Sequence, residues 1–295
     1  MTIDARLVAL YDEYCHSDMS RRQFMARASA LTLAGGVSAC AAAEQMLPDY
    51  SRVTVNFNDP RIRPDYVSWK SPGGNGGTMR GYLVAPATEG PFGAVLVVHE
   101  NRGLNPYIED VARRVALAGY LALAPDALTS VGGYPGNDDE GKALQRSLDR
   151  EKIKVDMTQA ARFLRGHALS RGRLGVTGFC FGGGISNYLA ATLGDELAAA
   201  APFYGSAPDL GGVREIRAEL VLHYAEKDPR VNASRGPYEA ALTAAGVKFA
   251  SYTYPGTGHG FHNDSTPRFV AEQAERAWAR TLDLFTRTLG SPHPA

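Results

Sequence analysis

Short apolar runs that alternate with amphipathic segments constrain the fold of this chain more than any other feature. Residues 94–99 form a nearly continuous apolar run, as expected of a central strand buried on both faces. Ile108, Val111 and Val115 then recur at helical spacing, and Gly119 is placed to end that helix. Further strands are predicted at 120–124, 174–178, 199–204, 220–224 and 249–254. This alternation predicts a mostly parallel sheet with helices on both faces.

Other segments extend this core at both ends. Residues 67–70 and 79–85 flank the sequence Pro-Gly-Gly-Asn-Gly-Gly, which predicts an antiparallel hairpin that opens the sheet. A long polar helix is predicted over 138–166. A last helix is predicted to start at 266–267, a threonine N-cap followed by a proline. We expect residues 46–295 to form a single domain.

Composition excludes several classes of protein. The chain of 295 residues carries 31 Lys+Arg and 31 Asp+Glu, so no bulk electric field attracts nucleic acid. Mean hydropathy is −0.21 and no apolar run reaches about 18 residues, which argues against a membrane span. The three cysteines, Cys15, Cys40 and Cys180, are too few and too dispersed for a disulfide framework or a Cys-rich zinc site.

Residues 1–45 form a predicted extension that resembles an export signal. The twin arginine at 21–22 precedes a modestly apolar stretch at 28–39, which is the order of a Tat signal. Residues 37–40, Val-Ser-Ala-Cys, resemble a lipobox in which Cys40 is lipidated after cleavage. This interpretation places the protein in the periplasm or on a membrane anchor after Tat export.

An amphipathic helix that stays on a cytoplasmic protein is the alternative for the same residues. Leu7, Leu10, Tyr11 and Tyr14 fall at i, i+3, i+4 and i+7, on one helical face. Acidic residues also lie in the long lead before the twin arginine: Asp4, Asp12 and Glu13. The mature N-terminus distinguishes export from retention.

A glycine-rich turn at 178–184 carries the predicted chemistry. Its sequence, Gly-Phe-Cys-Phe-Gly-Gly-Gly, follows an apolar strand and precedes a helix, as in a G-x-S-x-G nucleophile elbow with Cys180 in the serine position. Gly178 and Gly182 remove side chains that would collide with the neighbouring strand and helix. The helix N-terminus points at Cys180 and favours its thiolate. A buried structural cysteine is the alternative interpretation.

Two further residues follow later strands in an informative order. Asp228 comes after the strand at 220–224, and His259 comes after the strand at 249–254. Nucleophile, acid and histidine in that chain order are typical of α/β-hydrolases. The carboxyl ends of parallel strands converge at one edge, so the three side chains are expected to meet there. Taken singly, Asp228 also fits a helix cap and His259 a loop histidine.

Three motifs taken together point to a known family. They are His99-Glu-Asn-Arg-Gly-Leu-Asn-Pro-Tyr, Gly178-Phe-Cys-Phe-Gly-Gly-Gly and Tyr254-Pro-Gly-Thr-Gly-His-Gly-Phe-His. Over roughly residues 67–289 the chain resembles the dienelactone hydrolase (carboxymethylenebutenolidase) family, in its branch with an N-terminal extension. The resemblance implies an α/β-hydrolase fold and cleavage of a small-molecule lactone or carboxylic ester.

The resemblance also implies roles for individual residues. Cys180 is the nucleophile, His259 is the general base and acid, and Asp228 orients His259. Glu100 matches a carboxylate that contacts the nucleophilic thiol and helps to ionise it. A polar residue at a strand end, paired to an arginine, is the alternative for Glu100.

The resemblance identifies the substrate-binding residues less directly than the residues of the hydrolytic machinery. The backbone N–H groups of Phe181 and Asn101 match the family's oxyanion hole. Family members hold a substrate carboxylate with arginines, but a histidine and an asparagine stand just after the histidine motif here, and the nearest arginine is Arg268. Three residues are the candidate substrate contacts: Arg102, Tyr204 and His262.

No cofactor and no metal are predicted for this chemistry. His259 and His262 form an H-x-x-H pattern in a loop, but a metal there would remove the proposed base. Residues 136–143 nearly match a P-loop, yet Ala143 lacks the hydroxyl that binds magnesium. The arginine that holds a substrate carboxylate in the family is missing from its usual position, and an export signal is predicted. For these reasons, a hydrolase-fold binding or sensory lipoprotein without turnover is the alternative function.

Overall fold

The computed structural model describes residues 4–31 and 39–291. Within them, one sheet of eight strands has the order β1-β2-β4-β3-β5-β6-β7-β8. The strands are β1 (Ile62–Ser71), β2 (Gly77–Pro86), β3 (Phe92–Val98), β4 (Leu121–Asp126), β5 (Ser170–Phe179), β6 (Ala199–Phe203), β7 (Glu219–Lys227) and β8 (Phe249–Gly258). The helices are α1 (Ala5–His16), α2 (Arg21–Ser29), α3 (Ala39–Gln45), α4 (Pro106–Leu117), α5 (Asp138–Ser147), α6 (Arg150–Arg165), α7 (Phe181–Leu193), α8 (Pro229–Asn232), α9 (Arg235–Ala244) and α10 (Ala271–Leu289).

The sheet is mostly parallel and opens with a hairpin, as predicted. Strand β1 pairs antiparallel with β2, and β2 pairs antiparallel with β4. Every other neighbouring pair in the sheet is parallel. The carboxyl ends of β3, β5, β7 and β8 therefore lie at one edge of the sheet, where Glu100, Cys180, Asp228 and His259 follow them.

Helices cover both faces of the sheet, which confirms the predicted α/β-hydrolase fold. Ala94, Leu96 and Val98 of β3 pack in the same apolar cluster as α6, α7 and α9. Val95 and Val97 pack in the other cluster, with α4 and α10. All five side chains are fully buried, so the continuous apolar run reflects a strand with no solvent-facing side.

Two predicted helix boundaries are wrong. The predicted helix over 138–166 is two helices, because Asp149 accepts hydrogen bonds from the first amides of α6 and begins a new helix after α5. The last helix begins at Ala271 rather than at 266–267. The Thr266 hydroxyl donates to the carbonyl oxygen of Asn263 instead of capping a helix, and the chain turns once more before α10.

The N-terminal helices form a small apolar cluster of their own. The predicted helical face is confirmed, since Leu7, Leu10, Tyr11 and Tyr14 of α1 are all buried. The predicted apolar stretch lies largely outside the described residues, as do residues 37–38 and the side chain of Cys40. Within the described part of the chain, no helix combines the length and the apolar character needed to cross a membrane.

Candidate active site

Cys180 occupies a strained turn between β5 and α7. Its backbone angles are φ 55° and ψ −112°, a left-handed region that non-glycine residues seldom adopt. A Cβ atom on Gly178 would lie 2.2 Å from the carbonyl oxygen of Gly182, and one on Gly182 would lie 2.2 Å from that of Val98. The glycines therefore permit the close approach that the predicted elbow requires.

His259 and Asp228 form a buried hydrogen-bonded pair. The Nδ1–H of His259 donates to Oδ2 of Asp228 at 2.5 Å, and both residues are about 95% buried, at 5% and 3% exposed. Burial by itself raises the pKa of Asp228. The hydrogen bond from His259 and the charge of that residue lower the pKa by more, so the pKa of Asp228 lies below its ordinary value. The structure thus brings together the two residues that the sequence placed after β7 and β8.

The remaining ring nitrogen of His259 faces the thiol. Nε2 of His259 has no hydrogen-bond partner among the described residues. Sγ of Cys180 lies within 4.8 Å of a ring nitrogen of His259. Burial alone would raise the pKa of Cys180. The charge of His259 and a hydrogen bond from His16 outweigh burial and hold that pKa well below its ordinary value. This arrangement favours a thiolate–imidazolium pair.

Glu100 follows β3 and lies close to the thiol. Its Oε2 accepts a hydrogen bond from Nδ2 of Asn263 at 3.0 Å, and its side chain is buried. Burial and then the charge of Cys180 raise the pKa of Glu100 above its ordinary value. The structure therefore ties this carboxyl group to an asparagine rather than to an arginine, within electrostatic range of the nucleophile.

The two predicted oxyanion-hole amides belong to segments that meet at the nucleophile. Phe181 is the first residue of α7, so its N–H has no partner within the helix. Asn101 follows the end of β3, and its side-chain Nδ2 donates to the carbonyl oxygen of Cys15 at 2.8 Å. Their role in binding an oxyanion stays a prediction.

The three candidate substrate contacts have different positions. Tyr204 is buried, and its ring lies 4.9 Å from the ring of His259. The guanidinium of Arg102 is already engaged, by Oδ2 of Asp138 at 2.5 Å and by Sγ of Cys15 at 2.8 Å. Arg102 therefore already has two partners in this structure, and its contact with substrate stays a prediction.

His262 lies in the aromatic core rather than at an open surface. Its Nδ1 is hydrogen-bonded to the hydroxyl of Tyr107 at 2.7 Å, and its ring packs near Phe179 and Phe203. Burial, followed by the charge of Arg114, lowers the pKa of His262 to about 3. A neutral, enclosed imidazole of this kind supports the core, so its position does not support the predicted contact with substrate.

Sequence reasoning missed two residues that the structure brings into the site. Nε2 of His16, at the end of α1, lies 3.5 Å from Sγ of Cys180. Arg268 is a buried arginine whose Nε and Nη1 donate no hydrogen bond to the residues that the structure describes. The only signal for His16 in the sequence is its place at the end of an amphipathic helix. Arg268 was visible only as the arginine nearest to the histidine motif.

Three potential metal ligands also meet at this site. Ligand atoms of His16, Cys180 and His259 lie within 4.8 Å of one another, a donor set that suits zinc. A guanidinium nitrogen of Arg230 lies 3.1 Å from Nε2 of His16, however. That fixed positive charge opposes a metal cation at the same point.

Comparison with known proteins assigns the chain to a family. The sequence profile of the dienelactone hydrolase family matches residues 79–289, which is more than half of the chain. The chain belongs to the dienelactone hydrolase family. A second profile, described as YqhI-like, matches residues 2–34, so the N-terminal segment is similar to a described family of its own.

Individual relatives of the chain are hydrolases by name. A "Putative carboxymethylenebutenolidase" of Yersinia pestis is 30% identical over 230 residues, which are 72% of this chain and 85% of that protein. A "Putative hydrolase fragment YghX" of Escherichia coli is 59% identical over 115 residues, 38% of this chain and 97% of the fragment. The crystal structure of a "Putative Dienelactone Hydrolase" from Klebsiella pneumoniae has a TM-score of 0.65 at 27% identity, and the alignment covers 76% of this chain and 99% of that one.

Proposed function

We propose that this protein is a hydrolase that opens a lactone or carboxylic ester through the thiolate of Cys180. The observation that carries the proposal is the strained cysteine elbow beside a buried His259–Asp228 pair with a 2.5 Å hydrogen bond. Membership of the dienelactone hydrolase family supports the same reaction class. Each residue in this set has a chemical task that its environment suits.

The proposed reaction has two half-reactions. Sγ of Cys180 attacks the acyl carbon, the new C–S bond forms, and the ring or ester C–O bond breaks. The leaving oxygen takes a proton from Nε2 of His259, which leaves a neutral imidazole. Water then loses a proton to that imidazole and attacks the thioester, the C–S bond breaks, and thiolate and imidazolium return. Asp228 holds the imidazole in the required tautomer throughout.

Charge that develops on the acyl oxygen is proposed to be held by the backbone amides of Phe181 and Asn101. Pre-aligned amides of this kind stabilise the tetrahedral intermediate more than the planar ester. Glu100 is proposed to help ionise Cys180, because a buried carboxyl group whose pKa is raised can take the proton of a nearby thiol.

A substrate that carries a carboxylate is the class we favour. The relative from Yersinia pestis is named for a butenolide that bears a carboxymethylene group. In this chain, two buried nitrogens of Arg268, Nε and Nη1, donate no hydrogen bond within the described residues, although Nη1 lies 4.0 Å from a carboxylate oxygen of Asp12. The positive charge of Arg268 also lowers the pKa of Glu100. Unsatisfied buried donors favour binding of an anionic acceptor. We therefore propose that Arg268, rather than Arg102, orients the substrate carboxylate.

The function is tested with the purified full chain on a carboxymethylene butenolide and on p-nitrophenyl acetate. Cys180→Ala is expected to lower kcat/KM on both substrates by at least about 1,000-fold. Cys40→Ser controls for loss of a different thiol, and thermal unfolding of each variant controls for folding. A transient acyl adduct on Cys180 in intact-mass spectra is the expected intermediate. Hydrolysis that persists in Cys180→Ala would refute the mechanism, and binding without turnover would favour the non-catalytic alternative.

We also propose that residues 4–29 stay on the mature protein. The hydroxyl of Tyr14 donates to Oδ1 of Asp139 at 2.5 Å, and the backbone N–H of Arg21 donates to Oδ2 of the same residue at 3.2 Å. These contacts support a segment that is part of the folded enzyme. Tat export, a periplasmic or membrane-anchored location and lipidation of Cys40 remain the competing predictions. Cell fractionation with sequencing of the mature N-terminus decides, since a new N-terminus at Cys40 would refute retention.

A further inference from the structure

Helix α1 reaches from the N-terminal segment into the proposed active site. Nζ of Lys142 donates to the carbonyl oxygens of Tyr14 and Met19, at 2.7 and 2.9 Å, and is buried by this contact. The carbonyl oxygen of Cys15 accepts from the side chain of Asn101. The contacts fix the last turn of α1 against the loops that surround the nucleophile.

His16 is the last residue of α1, and its side chain reaches the proposed active site. Its Nε2 lies 3.5 Å from Sγ of Cys180, and its ring packs edge-on against the ring of His259, with centroids 4.7 Å apart and an interplanar angle of 87°. The Nδ1–H of His16 donates to the carbonyl oxygen of Asp12 at 2.8 Å and lies 3.3 Å from Oδ1 of the same residue. The imidazole is therefore oriented with Nε2 toward the sulfur.

Two imidazoles consequently lie near the sulfur of Cys180, each with a carboxylate behind it. The Asp228 carboxylate accepts the Nδ1–H hydrogen bond of His259, whereas Nδ1 of His16 is hydrogen-bonded to the backbone carbonyl of Asp12 and lies 3.3 Å from the carboxylate of that residue. In both pairs Nε2 is the nitrogen left for the thiol. A carboxylate behind an imidazole stabilises its protonated form, and a protonated imidazole stabilises a thiolate.

The segment does not cover Cys180 completely. Cys180 remains partly exposed, whereas His259 is only 5% exposed. A plug would enclose the sulfur together with the histidine. The partial exposure favours a role for α1 in completing the site rather than in sealing it.

We propose that His16 is a further catalytic residue, whose imidazole contacts Sγ of Cys180 and holds it as a thiolate ready to attack. This inference rests on the proposed function for its catalytic consequence, but the state of the thiol can be measured without any substrate. The N-terminal segment then belongs to the enzyme's active site and is required for full reactivity of the nucleophile.

Charged groups from several elements face Cys180 and must be weighed together. Arg230 of α8 opposes protonation of His16, since its guanidinium lies 3.1 Å from Nε2. A deprotonated Glu100 opposes the thiolate, because the two negative charges repel, whereas a protonated Glu100 does not. The groups that favour the thiolate–imidazolium state are His259 with Asp228 and His16 with Asp12.

The decisive experiment follows the pH dependence of Cys180 alkylation by iodoacetamide in the full chain, located by peptide mass spectrometry. His16→Asn is the key variant, because the asparagine amide can replace the Nδ1–H donor to Asp12 but cannot reach the sulfur. The alkylation profile of this variant is expected to move toward higher pH by about one unit, which corresponds to about a tenfold lower rate on the acidic limb. Asp12→Asn is expected to produce a smaller shift in the same direction.

Glu13→Gln is the matched control on the same helix, because Glu13 is exposed and forms an ion pair with Arg27 of α2. Its alkylation profile is expected to match the native one, and thermal unfolding checks that every variant is folded. An unchanged profile in His16→Asn would overturn the proposal. Faster alkylation of His16→Asn at all pH values would also overturn it, since His16 would then obstruct the thiol. Native alkylation at low pH without any hydrolysis would contradict the proposed function while leaving the role of His16 intact.

Discussion

The Nε2 atom of His16 lies 3.5 Å from the Sγ atom of Cys180, although 164 positions separate the two residues in the chain. The contact depends on α1 folding back across the carboxyl edge of the sheet, where Lys142 and Asn101 hold its last turn. Helix α1 thus contributes a side chain to the surroundings of Cys180, whose own position is set by the end of β5.

The depressed pKa of Cys180 predicts reactivity at acidic to neutral pH. Because the folded pKa lies below the ordinary value of about 8.5, the thiolate persists where a normal thiol is protonated. The kcat/KM of the native chain should rise through the depressed pKa and remain high through neutrality. It should fall at alkaline pH, when the His259 imidazolium, whose pKa is raised by the thiolate and Asp228 despite burial, loses its proton. A rate that rises only near pH 8.5 would contradict this prediction.

Replacing Asp228 with Asn should damage catalysis more than folding. The amide no longer stabilises the His259 imidazolium and favours the wrong tautomer, so kcat should fall by roughly 1,000-fold. Asp209→Asn is the control, because Asp209 accepts a backbone hydrogen bond at a helix start, as Asp228 does, but lies outside the site. Similar losses of kcat in both variants would argue against the proposed role of Asp228.

Replacing Arg268 with Met should discriminate between substrates. Removal of a buried cation that holds a carboxylate should raise KM for a carboxymethylene butenolide by about tenfold or more. The effect on the neutral ester p-nitrophenyl acetate should be much smaller. Arg276→Met serves as the control, because Arg276 is exposed and pairs with Glu272 on α10. Equal effects on the two substrates would show that Arg268 has a structural role only.

Docking of α1 should weaken at alkaline pH. Burial lowers the pKa of His16, but the hydrogen bond to Asp12 and the contact with Cys180 raise it to about 10 overall. A group with a raised folded pKa contributes its full stabilisation below the ordinary value of about 6.5, and loses that contribution as pH rises through the folded value. Hydrogen exchange of α1 amides, corrected for intrinsic rates, should therefore accelerate between neutral pH and pH of about 10.

The control for this prediction is His16→Asn, in which the extra pH dependence of α1 exchange should disappear. Exchange in α4, which lies in the core of the domain, should change little in either protein over the same range. If hydrogen exchange in α1 depended on pH in the same way in the native chain and in the variant, the titration of His16 would not control the docking of α1.

The amino-acid sequence by itself determined the fold and the main chemical elements of the site. The nearly continuous apolar run at 94–99 predicted a strand buried on both faces, because such a run has no side to present to water, and β3 spans Phe92–Val98. The glycines around Cys180 required a strained turn, and the order of Cys180, Asp228 and His259 after separate strands predicted that they meet. These inferences succeeded because each depends on local spacing and on the geometry of parallel sheets.

Only the tertiary structure decided which other side chains lie near the nucleophile. His16 and Arg268 enter the site through loops and a helix whose paths are set by contacts between distant residues, which leave no periodic signal. The same long-range contacts engage Arg102 with Asp138 and enclose His262 among aromatic rings. Local patterns determine which elements form, but the charges around a nucleophile depend on how those elements pack, and packing is a property of the whole chain.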